Sequence, residues 1–412
     1  MSFLDLSQVA SKDRYSKLTS RQPIFLTGTG RNKIYESYPG LAITPKKIFS
    51  QPIEILVLSG ASSKTSKQFH IAEADVDFSN KVDKIEVQGE MQVEDSTLNF
   101  KNGKNNLKAG EFYLGRHYST TNDPNASRSG NLKFGKDNDL LTFEISRLSN
   151  KSQIKTGGGN DQITASQSIS LNDESKINMG GGNDTIKANL GSYWGSGDPD
   201  FNDLQKSTSI KLGSGDDKII GSISGYGGRN RVINAGAGND QLIVGELGAA
   251  ARKYDSWGNQ DLGFIAKLKI KLGSGDDKLE ASLNSEPLNK LPYFNDSATD
   301  KTKVIATERD CKSINSTPRL EVLQRLPDVD FGPGNDIWKL AKGNYNIEKL
   351  GKKFLIYEVL KFDVRCYDKY VDLNAIQESH TLSGSGAVFS GLEFLEDPEG
   401  KLIQPKEGLM NL

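Results

Sequence analysis

The chain has 412 residues and a net charge of −1 from 52 basic and 53 acidic side chains; only 35% of residues are hydrophobic, while 42 are glycine. So even a balance argues against a nucleic-acid or anionic-membrane partner, and low apolar content with abundant glycine excludes one large globular core in favour of a thin-cored repeat fold. Met1-Ser-Phe-Leu-Asp-Leu lacks a basic stretch followed by an apolar core, so no cleavable leader is expected, and no run approaches the roughly 18 apolar residues of a membrane-spanning helix.

In chain order, residues 1–24 are expected to cap the first coil of a solenoid running over 25–340. Degenerate motif copies join Phe25, Gly28, Gly30 and Ile34; then Val76, Asp83 and Ile85; then Leu98, Gly103, Asn105 and Leu107; then Leu132, Gly135, Asp139 and Leu141. The clear copies follow: Gly157-Gly-Gly159-Asn-Asp161, Gly180-Gly-Gly182-Asn-Asp184, Gly213-Ser-Gly215-Asp-Asp217, Gly236-Ala-Gly238-Asn-Asp240, Gly273-Ser-Gly-Asp-Asp277 and Gly332-Pro-Gly-Asn-Asp336. An apolar residue stands three places before each (Ile154, Ile177, Ile210, Ile233, Ile270, Val329) and another two places after its last Asp (Ile163, Ile186, Ile219, Leu242, Leu279, Trp338).

Motif starts at 79, 101, 135, 157, 180, 213, 236, 273 and 332 are separated by 22, 34, 22, 23, 33, 23, 37 and 59 residues. The short steps read as one coil of a parallel β-solenoid of 22–23 residues, and the long steps as coils carrying loops at about 108–130, 188–207, 246–266 and 282–317. Short alternating runs such as Gln162-Ile-Thr-Ala and Lys176-Ile-Asn-Met predict brief strands with Ile or Leu inward and Ser, Thr or Lys outward. Helical periodicity is nearly absent. The fold class is therefore all-β, a parallel solenoid with Gly-Asn-Asp corners, plus a β-rich cap or association domain at 341–412 where apolar runs such as Phe354-Leu-Ile-Tyr-Glu-Val-Leu360 become denser.

A coil must turn within a few residues. Glycine adopts positive φ at little cost, and Asn or Asp bonds its own backbone there. Coils stack at about 4.8 Å, so Asp139, Asp161, Asp184, Asp217, Asp240, Asp277 and Asp336 are expected to form columns of like charge. Such a column requires protonation, splaying into water, or a neutralising cation. Carboxylates with turn carbonyls make the hard-oxygen environment that suits Ca²⁺. The motif resembles the hemolysin-type calcium-binding nonapeptide of RTX proteins, Gly-Gly-x-Gly-x-Asp-x-U-x, with Gly180 to Ile186 and Gly213 to Ile219 like single copies. The resemblance implies calcium held by the corner aspartates together with Gly157, Gly159, Gly180, Gly182, Gly213, Gly215, Gly236 and Gly238. The chain departs from the family in spacing: RTX repeats run in tandem at nine residues, and these motifs recur once per coil.

The inserts carry aromatics. Phe112-Tyr-Leu-Gly-Arg-His-Tyr118 follows the copy at 101, and Tyr193, Trp194, Tyr254 and Trp257, beside carboxylates, are candidates to stack on a cell-surface glycan or to pack on a neighbour. Cys311 and Cys366 read as two structural thiols, with a single bridge as the alternative. His70, His117 and His380 form no zinc pattern, and no nucleophile elbow, P-loop or dinucleotide fingerprint occurs. The aspartate pairs at 216–217 and 276–277 occupy the repeated corner, which makes them structural rather than catalytic.

The expectation is a non-catalytic structural or adhesive protein, extracellular or at a cell surface. It would associate with itself, as in a homotrimer, or with other structural proteins. A phage virion protein (tail spike, fibre or surface decoration, on the virion surface) and a β-helix polysaccharide-degrading enzyme are the alternatives.

Overall fold

Alternation of buried and outward residues organises the molecule, seen in a computed structural model. The structure describes residues 75–115, 128–172, 174–191, 207–223, 231–247, 268–283, 326–358 and 386–412, with separate strands at 16–20, 24–27, 41–42, 46–48, 53–57, 67–72, 303–304, 365–367 and 370–372. Among the described residues every regular element is a strand, as the missing helical period predicts. No helix there is long and apolar enough to cross a membrane. The chain divides into two compact units, 1–199 with 206–222 and 232–241, and 200–205 with 223–231 and 242–412.

In the first unit each coil contributes one strand to each of two parallel sheets. One sheet runs through Lys84–Glu94, Asn106–Leu114, Leu140–Leu148, Gln162–Leu171 and Thr185–Gly191; the other through Asp75–Asp77, Ser96–Asn99, Gly130–Lys133, Gln153–Gly158, Lys176–Gly181 and Thr208–Ser214. Register follows the apolar positions: Leu107 pairs with Leu141, Leu141 with Ile163 and Ile163 with Ile186, while Ile154 pairs with Ile177 and Ile177 with Ile210. Each of these side chains is at most 1% exposed, so a one-residue slip in any strand would move a whole row of the core into water. Phe78, Phe100 and Phe134 form a second column, with ring centroids 4.1 and 4.7 Å apart and planes within 5°. Parallel pairing already begins inside the expected N-terminal cap, where Ser16–Ser20 pairs with Ile53–Val57.

The first expected insert is shorter than the spacing suggests. Asn106–Leu114 is one strand, so Phe112 and Tyr113 belong to the coil. A bulge between Ala109 and Glu111 resets the alternation, turning Phe112 into the core against Phe143 at 4.7 Å. Sequence periodicity breaks at the bulge, and that break imitates a loop.

In the second unit Leu268–Ser274 pairs parallel with Asp328–Asp330, and Lys278–Leu283 with Ile337–Lys339. Beyond residue 340 the chain changes character. Asn344–Leu350 and Lys353–Glu358 form an antiparallel hairpin, and Gly408–Asn411 adds to it. Between them, Gly386–Ser390 and Phe394–Glu396 add one more parallel coil, pairing Phe389 with Val329 and Leu395 with Trp338. Fully buried Trp338 packs against Phe331 and Phe389. Antiparallel strands at this end supply partners for backbone that a bare parallel edge would leave open.

Candidate functional site

Among the described residues, the corners hold the chemistry that recurs from coil to coil. At the first glycine of each of the six clear motifs the backbone takes positive φ, 104° at Gly157 and 107° at Gly180. A Cβ at Gly180 would stand 1.7 Å from the carbonyl oxygen of Gly157 in the preceding coil. Glycine is required there twice over, by conformation and by the close approach of stacked backbones.

The last residue of each motif is buried. Asp139, Asp161, Asp184, Asp217, Asp240, Asp277 and Asp336 are at most 2% exposed. Each links to its neighbours in one direction. In the first unit the backbone amide of Asp83 donates to Asn105 Oδ1 (3.0 Å), Asn105 to Asp139 Oδ1 (2.8 Å), and Asp139 to Asp161 Oδ1 (2.8 Å). Asp161 donates to Asp184 Oδ1 (2.8 Å), Asp184 to Asp217 Oδ1 (2.7 Å) and Asp217 to Asp240 Oδ1 (2.9 Å). In the second unit Asp277 donates to Asp336 Oδ1 (2.8 Å) and Asp336 to Glu393 Oε2 (2.9 Å). The same residues return a bond through the main chain: the amides of Gln162, Thr185 and Lys218 donate to the carbonyls of Asp139, Asp161 and Asp184. The chain bends at the corner, so the strand ladder loses an acceptor, and the side chain from the next coil replaces it.

A second ladder runs the opposite way, one residue earlier and exposed. Asn160 donates its amide to Asn138 Oδ1 (2.8 Å), Asn183 to Asn160 Oδ1 (2.9 Å), Asp216 to Asn183 Oδ1 (3.0 Å) and Asn239 to Asp216 Oδ1 (2.8 Å). Asn335 does the same to Asp276 at 2.9 Å in the second unit. Asn160→Ala, which deprives the Asn183 amide of its acceptor at a wet surface, is expected to cost about 0.5–1.5 kcal/mol, read from the urea midpoint.

The second oxygen of the buried aspartates decides their chemistry. Oδ2 of Asp184, Asp217 and Asp336 is sealed from solvent and receives no hydrogen bond. Burial pushes the Asp139, Asp184 and Asp336 carboxyls up to about 7 and Asp217 to about 6; the amide donated to each pulls the other way and does not win. Asp161 shifts in the same direction for the same first cause. The two variant corners fill the equivalent place differently: Asp83 Oδ2 accepts from the Ser79 amide (3.0 Å) and hydroxyl (2.9 Å), whereas a donor stands there in Asn105. Its Nδ2 donates to the corner carbonyls of Gly103 (2.8 Å) and Lys101 (3.2 Å). A carboxylate oxygen placed like Asn105 Nδ2, with no serine donor at hand, would confront carbonyl oxygens, and a proton on Oδ2, or a cation, would remove the conflict.

The residues present fit calcium in part. Asp184, Asp217 and Asp336 each offer one carboxylate oxygen without a hydrogen bond, but their Oδ1 is already taken by an amide, and Ca²⁺ takes about six to eight oxygens. Among the described residues no group of three or more His, Cys, Asp or Glu side chains is placed to hold a metal ion. Tyr193, Trp194, Tyr254, Trp257, Cys311 and the side chain of Cys366 lie outside the described residues.

Two contributors escape the glycine pattern. The position-four Asn and Asp ladder is legible as a repeated residue type, but its direction is not. Glu393 closes the aspartate ladder of the second unit from a shortened corner, Gly391-Leu-Glu393, recognisable only by the flanking Phe389 and Leu395. No family model matches this chain, and neither does any curated protein or solved structure.

Proposed function

We propose that the protein is a non-catalytic structural or adhesive β-solenoid acting at an extracellular surface, with corners held by hydrogen-bonded, protonated aspartates. The observation that carries this reading is the use made of the acidic repeat. Oδ1 of Asp161, Asp184 and Asp217 is engaged by a neighbouring amide, and the adjacent exposed Asp216 also accepts one. Glycoside hydrolysis needs two carboxyls facing each other across room for a sugar; these form rungs between coils instead. Incubating the full chain with acidic and neutral polysaccharides should release no new reducing ends, and antibody against it should label intact cells. Polymer cleavage, or label found only inside broken cells, would overturn the reading; label on viral particles instead would favour the virion alternative.

A second reading of the corners is that Ca²⁺ neutralises the column, as the resemblance to RTX repeats implies. The sealed, undonated Oδ2 atoms favour it. Chelation and Asp184→Asn separate the two. With protons, EDTA leaves the melting temperature unchanged and the variant gains stability at pH 8. With calcium, EDTA lowers it and the variant loses stability in the presence of the ion.

A further inference from the structure

We propose that one sheet face of the first unit binds a linear acidic polysaccharide, an inference that rests on the surface-adhesive reading and names its ligand class. The face is built by four successive coils. Register sets Asn131 beside Gln153, Gln153 beside Lys176 and Lys176 beside Ser209 in one outward row; Lys133 beside Lys155, Lys155 beside Asn178 and Asn178 beside Lys211 form the next. Every coil thus presents one ammonium and one neutral amide or hydroxyl, and none of the eight outward positions is acidic. Lys133, Lys155, Lys176 and Lys211 are exposed.

Several other lysines of these sheets are ion-paired. Lys84 and Lys108 meet Glu86 at 3.6 and 3.0 Å, Lys278 meets Glu396 at 2.7 Å, and Lys353 meets Asp328 at 2.6 Å. The four lysines of this face make no ion pair with any described residue, and Lys133 and Lys155 stand side by side on adjacent strands. Like charges in that register oppose folding, so the arrangement calls for an anion from outside the chain.

The chemistry selects the anion. Adjacent strands are about 4.8 Å apart, so a chain lying across them meets a cation and a hydrogen-bonding group at each step. A polymer with one carboxylate or sulfate and several hydroxyls per sugar satisfies both. The eight positions include no aromatic for base stacking and no arginine for bidentate phosphate or guanine contact, which disfavours nucleic acid.

The test uses the full chain, with polygalacturonate, dextran and a single-stranded oligonucleotide as probes at about 50 mM salt. The unmodified protein should bind polygalacturonate, more weakly as salt rises, and should bind dextran and the oligonucleotide much less. Replacing Lys133, Lys155, Lys176 and Lys211 by Gln should weaken binding by about tenfold or more. The control pair Lys108→Gln and Lys278→Gln, both from ion-paired sites, should leave it within about twofold. Circular dichroism checks that both variants remain folded. No binding of the polyuronate, equal loss in the control, or tighter binding of the oligonucleotide would overturn the proposal. None of these outcomes alters the cleavage and labelling results that test the scaffold reading.

Discussion

Raising the pH from 5 to 8 is expected to lower the melting temperature by roughly 5–10 °C. The buried corner carboxyls carry this effect: Asp139, Asp184 and Asp336 pushed up to about 7, and Asp217 to about 6, from an ordinary 3.8, chiefly by burial. A raised carboxyl pKa means that the folded chain holds a proton the unfolded chain has already released. The stabilisation is complete below about pH 4. It falls as pH climbs toward 6–7 and is lost above the folded values. A tenfold difference in proton affinity between the folded and unfolded chain corresponds to about 1.4 kcal/mol per carboxyl, and because neighbouring carboxyls interact they titrate as a set.

Replacing one rung isolates the cause. Asp184→Asn keeps the Oδ1 that accepts the Asp161 amide and supplies an Nδ2 for the corner carbonyls, as Asn105 does naturally. It should leave melting at pH 5 nearly unchanged, raise it slightly at pH 8, and flatten the slope between. Asp184→Leu removes the acceptor and buries an unpaired amide, at a cost of about 1–3 kcal/mol that persists at every pH. A melting temperature that rises from pH 5 to 8 would sink the protonated ladder.

The other large effect concerns the backbone. Gly180→Ala is expected to destabilise by about 4 kcal/mol or more, because it places a side chain at φ 107° and sets its Cβ 1.7 Å from the Gly157 carbonyl oxygen. The Cβ is fixed by its own backbone and the oxygen belongs to the stacked main chain, so neither can swing away. The next residue is the control. A Cβ at Gly181 would meet only the Ser214 hydroxyl, at 3.2 Å, and Gly181→Ala should stay within roughly 0.5 kcal/mol. Equal unfolding midpoints for the two variants would contradict the coil stacking.

Much of this architecture is legible in the sequence because it is periodic. Ile154, Ile177 and Ile210 recur at the same offset from each glycine corner, and the structure places them in one column. Periodicity fails at the bulges, where Phe112 reads as part of a loop, and at Glu393, where the corner is shorter than its neighbours. At the corners a repeated Asp is legible. Which way it faces is not, because a turn residue facing water and one buried against the next coil share a sequence signature.

The all-β class, the step of 22–23 residues, the apolar columns and the glycine corners are legible in the residues alone. These follow from local rules: alternation sets the strand faces, and positive φ selects glycine. Stacking of the coils adds two features: it turns the aspartates into a sealed, one-way hydrogen-bond ladder, and it brings lysines scattered between 133 and 211 onto a single uncompensated face. Both depend on what a neighbouring coil places about 4.8 Å away. That neighbour is set by register across inserts of varying length, so no local rule can read it.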